Sequence, residues 1–96
     1  MIVTLRTLPR DNGQTSVVLT RVPTHPDDPE VLMVAATDRE AMTWILDQVP
    51  RLILQAGEDF RSYDGRYHMT LEESRAVVTL DLDLPAGSRV VCQEKA

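Results

Sequence analysis

The chain has 96 residues, 43% of them apolar and 26% charged, with fifteen acidic side chains against ten basic ones and a net charge of −5. That length supports one small core, not two, and the apolar fraction excludes disordered and collagen-like chains. The acidic balance argues against a partner that is a nucleic-acid backbone or an anionic membrane surface, both of which are held by Lys and Arg.

Ile2 to Leu8 and Val17 to Val22 are short β-branched runs, and Asn12-Gly13 between them suits a hairpin turn. Pro23-Thr24-His25-Pro26-Asp27-Asp28-Pro29 carries three prolines in seven residues, which predicts an exposed loop. The uninterrupted apolar run Val31 to Ala36 predicts a third strand, buried and central in its sheet. Thr37-Asp38-Arg39-Glu40 is a capping box, in which Thr37 accepts from the Glu40 amide and the Glu40 carboxylate reaches back to the Thr37 amide. A helix therefore starts here. Met42, Ile45, Leu46, Val49, Leu52, Ile53 and Ala56 recur at three- and four-residue steps, so they predict its buried face, and Gly57 is placed to end it. Pro50 interrupts this pattern and predicts a kink or a division into two helices.

Beyond Gly57, Phe60 to Tyr63 and Arg66 to Leu71 flank the turn pair Asp64-Gly65 and predict a second hairpin. Thr70-Leu71-Glu72-Glu73 also fits a capping box, which leaves a short helical turn as an alternative there. Val77 to Leu84 alternates cleanly, with Val78, Leu80, Leu82 and Leu84 on one side and Thr79, Asp81 and Asp83 on the other. Pro85-Ala86-Gly87-Ser88 turns the chain, and Arg89 to Gln93 pairs back. The order β-β-β-α-β-β-β-β predicts one α+β domain over residues 1–96, an antiparallel sheet of six to seven strands with the amphipathic helix on one face.

Few residues suggest chemistry. His25, Asp27, Asp28 and Glu30 are metal-ligand types, but Pro26 and Pro29 hold the segment extended, which predicts a solvated acidic loop with no metal. Cys92 is the only cysteine, so an internal disulfide is excluded; beside Val90 it reads as a small buried hydrophobe. His68 alternates with Tyr67 and Met69 and is expected to face solvent with Arg66 and Thr70. No glycine-rich phosphate loop and no nucleophile–base set is present, so neither a cofactor nor enzymatic activity is expected.

Two surfaces remain. Trp44 falls off the centre of the expected helix stripe, where it would either pack under the proline-rich loop or against a sheet edge or serve as an aromatic anchor for a partner. Asp81 and Asp83, with Glu58, Asp59, Asp64, Glu72 and Glu73 in adjoining turns, would form an acidic face that either only keeps the chain soluble or imitates nucleic-acid phosphates. The expected protein-binding residues are thus Trp44, Asp81, Asp83, Glu72, Glu73 and Asp64. Nine of the ten basic residues are arginine, a skew expected of a GC-rich bacterial or phage genome, and the alternating N-terminus Met1 to Arg6 lacks a signal-peptide layout, which predicts a cytoplasmic protein. Together these features predict a non-enzymatic protein-interaction module. By analogy with anti-CRISPR and DNA-mimic proteins, it would be a small acidic inhibitor of a nucleic-acid-handling complex. The alternative is a self-assembling accessory subunit, a homodimer formed through a strand edge or a helix face.

Overall fold

The computed structural model describes residues 1–57, 67–72, 75–88, 90 and 92, the segment 67–72 by its backbone. In chain order come β1 (Ile2–Pro9), β2 (Thr15–Val22), β3 (Glu30–Ala35), α1 (Asp38–Gln55), β4 (Tyr67–Glu72) and β5 (Arg75–Asp81). The five strands form one sheet in the order β3-β2-β1-β5-β4, every neighbouring pair antiparallel. Helix α1 packs against β1, β2, β3 and β5, so the architecture is the expected α+β arrangement of one helix on an antiparallel sheet. The expected strand over 60–63, the turn at Asp64-Gly65 and, apart from Val90 and Cys92, the strand over 89–93 lie outside the described residues.

Period-two alternation explains the layers. Val3, Leu5 and Thr7 of β1 share a face with Val17 and Leu19 of β2 and with Ala76, Val78 and Leu80 of β5, and all are buried. Against them α1 lays Ala41, Trp44, Ile45, Gln48, Val49, Leu52 and Ile53. The β1–β2 hairpin closes over residues 10–14, where the Arg10 amide donates to the Gln14 carbonyl at 2.8 Å. Gly13 supplies a φ of +84° in that turn, a conformation that a Cβ would strain.

Four expectations change. First, β3 is an edge strand rather than a central one, and Val31 and Val34 are 60% and 42% exposed. An apolar run of six residues satisfies either position, because periodicity does not report how many neighbours a strand has. Second, the buried stripe of α1 is rotated from the expected one: Leu46 is 47% exposed, while Trp44 and the polar Gln48 face the sheet. A buried glutamine at the centre of the stripe hides the period from any reading that follows apolar residues alone. Third, α1 runs through Pro50 as one element, so of the two outcomes expected there the division into two helices gives way to the single helix. Both Pro50 and Leu46, whose carbonyl loses the amide donor, sit on the solvent side, where water can substitute. Fourth, β5 ends at Asp81 rather than Leu84, at its pairing with Ile2 near the start of β1. The Met1 ammonium donates to the carbonyls of Leu82 at 2.9 Å and Leu84 at 3.1 Å, and the Leu82 amide donates to the Met1 carbonyl at 2.8 Å. The helical-turn alternative at Thr70 to Glu72 gives way to strand β4.

Candidate functional site

The sheet has one face that α1 leaves uncovered. By register it carries Ile2, Thr4, Arg6 and Leu8 of β1, Ser16, Val18, Thr20 and Val22 of β2, and Val77, Thr79 and Asp81 of β5. Val31 and Val34 of β3 belong to it as the cross-strand partners of Val18 and Ser16. A bulge between Val17 and Val18 leaves Leu32 without a cross-strand partner, and this keeps Val31 on the open face and Met33 on the helix side. Ile2 and Leu8 are each 39% exposed and Val22 is 60% exposed.

The face is ordered in rows. At one end the register sets Asp81 beside Ile2 and Ile2 beside Val22. At the other end Leu8 lies beside Ser16 and Ser16 beside Val34, and the exposed Arg75 opens β5 on that side. Among the residues with described side chains, Arg6, Arg75 and Asp81 stand exposed on this face, and Arg10 reaches it by donating from Nη1 to Ser16 Oγ at 3.2 Å; Glu72 of β4 is placed beside Arg75 by register. Most of the remaining described carboxylates sit in the loops and on α1, with Glu30 opening β3 and Glu72 ending β4.

The expected binding residues scatter. Trp44 is 9% exposed and belongs to the core, so the anchor expected off the helix stripe is instead packed against the sheet; its remaining surface borders an open hollow lined by Thr37, Glu40 and Asp47. Asp81 and Asp83 are both exposed, as the alternation predicts, with Leu80 and Leu82 buried between and behind them. Glu72 is placed by its backbone as the cross-strand partner of Arg75, whereas Asp64 and Glu73 lie outside the described residues. His68 is likewise placed by its backbone alone, opposite Thr79.

A buried charge network escaped sequence reasoning. Arg21 ends its side chain 3% exposed beneath the proline-rich loop, with Nη1 2.6 Å from Asp28 and Nη2 3.2 Å from Glu30. The Asp28 carboxylate also accepts the amides of Arg21 at 3.0 Å and His25 at 2.9 Å, which folds the loop back onto β2. The prolines do not splay the acidic loop as expected: His25, Asp27 and Glu30 bring one ligand atom each to within 4.8 Å of one another. Yet Glu30 is engaged by the guanidinium, and His25 Nδ1 accepts the Asp27 amide at 3.1 Å. The positive charge that balances these carboxylates is Arg21 itself. Its Nε is buried without a hydrogen-bond partner.

Cys92 packs against the core near this network. Burial pushes its thiol up to about 11, opposed by Arg21 and assisted by Glu30, so it stays protonated at neutral pH. No helix of the described residues is long and apolar enough to cross a membrane. Comparison of the chain with protein-family models, curated proteins and solved structures gives no match.

Proposed function

We propose that this chain is a non-enzymatic protein-interaction module that docks through the helix-free face of its sheet. One observation carries the reading: of the seven large hydrophobic residues exposed among the described ones, Ile2, Leu8, Val22, Val31 and Val34 lie on that single face. Exposed apolar side chains gathered at the two ends of one face of a small acidic protein cost solubility, and covering them with another protein recovers the burial. Leu46 and Leu54, the other two, sit on the outer side of α1.

A photo-crosslinking residue placed at Val34, and separately at Leu54, tests the reading in lysate of the source cell. Adducts with a polypeptide are expected from position 34 and not from position 54. Equal yields at both sites, or none at position 34, would remove the sheet face as the docking surface. The narrower reading as an acidic competitor for a basic groove is supported by Asp81 and Asp83, which are exposed at the end of β5.

A further inference from the structure

We infer that the occupant of the helix-free face is a second copy of this chain, packed sheet on sheet about a two-fold axis that runs across the strands. This rests on the reading of that face as a docking surface. The two ends of the face are complementary to each other rather than to themselves. One row reads Asp81, Ile2, Val22; the other reads Arg75, Leu8, Ser16, Val34. A two-fold axis perpendicular to the strands lays the first row of one copy on the second row of the other. Asp81 then meets Arg75 of its mate, Ile2 meets Leu8, and Val22 meets the Ser16–Val34 end. Each contact occurs twice, as an isologous interface requires.

The charge distribution favours this occupant. A copy with a net charge of −5 is repelled by most of its own surface, but among the residues with described side chains this face gathers three guanidiniums, Arg6, Arg75 and Arg10, the last donating to Ser16 Oγ at 3.2 Å, against the Asp81 carboxylate, with Glu72 of β4 placed by register beside Arg75. Its size is also adequate. Five strands about 4.8 Å apart, each about seven residues long at roughly 3.3 Å per residue, give a face of about 550 Å² per copy. The pair buries about 1,100 Å², which clears the threshold of roughly 1,000 Å² for a specific interface and places the dimer in the weak class. Face-to-face packing of two such sheets matches the geometry of β-sandwiches, whose strands align to within about 30°.

Sedimentation equilibrium from about 5 to 500 µM tests the inference, a range suited to a weak interface. The wild-type chain is expected to pass from monomer to dimer across it. Arg75→Asp and Asp81→Arg, each placing two like-charge contacts in every dimer, are expected to weaken association about tenfold or more. The double variant carrying both reversals restores opposite charges across the axis and is expected to recover wild-type association. Val34→Lys, which drives an ammonium into the Ile2–Val22 row, should weaken it as much; thermal melts of all variants confirm folding. A chain monomeric throughout the range, a dimer indifferent to both single reversals, or a double variant that stays monomeric would overturn the inference. In those cases, crosslinks from position 34 to a different polypeptide leave the docking reading standing, whereas their absence removes both.

Discussion

Asp28 gathers three donors: the Arg21 amide at 3.0 Å, the His25 amide at 2.9 Å and the Arg21 guanidinium at 2.6 Å. Burial alone raises its carboxyl pKa, but the His25 and Arg21 amides and the guanidinium outweigh burial and hold it below the ordinary value of 3.8. A carboxylate whose folded pKa is depressed stabilises the fold above its unfolded pKa, and that contribution is lost as pH falls through the folded value. Thermal unfolding should therefore show an acid limb beginning near the ordinary carboxylate pKa and steepening below it. Asp28→Asn is expected to flatten that limb and to cost about 3 kcal/mol at neutral pH, because Arg21 is left buried with only Glu30 as a charged partner. An unchanged acid limb would show that the network does not govern acid stability.

Helix α1 shows how local and tertiary rules divide. Its start follows the capping-box pattern: the Thr37 hydroxyl accepts the Glu40 amide at 3.2 Å, and the Glu40 carboxylate accepts the amide of Ala36, one residue before the expected Thr37, at 3.2 Å. Its end follows local rules too, with Gly57 at a φ of +78° just beyond the last turn. Its middle defies them, since Pro50 is retained inside the helix at a position that faces water. Pro50→Ala restores the missing amide and removes the ring clash, offset in part by greater freedom of the unfolded chain. Calorimetry is expected to show a gain of about 1–2 kcal/mol. A loss would mean that the helix bends at Pro50 to fit the sheet and that straightening it breaks the packing of Leu52 and Ile53.

At the scale of the whole molecule, most of the described carboxylates sit in the loops and on α1, while the helix-free face gathers most of the exposed large hydrophobic side chains. Replacing Asp81 and Asp83 together by asparagine should change unfolding stability by less than about 0.5 kcal/mol, since both are exposed. Association through the face should weaken, and its salt dependence should flatten because a screened charge contact has been removed; binding measured at two salt concentrations reads both effects. The α+β class, the first hairpin, the start of α1 and the in-out alternation of Val78 to Asp83 were determined by the sequence itself, because each depends on residues within one turn or one strand of each other. The edge position of β3, the rotation of α1 that buries Trp44 and Gln48, and the pairing of Arg21 with Asp28 and Glu30 were decided only by the tertiary structure. Strand order, helix rotation and cross-loop ion pairs depend on which elements meet, and neither periodicity nor propensity along the chain carries that information.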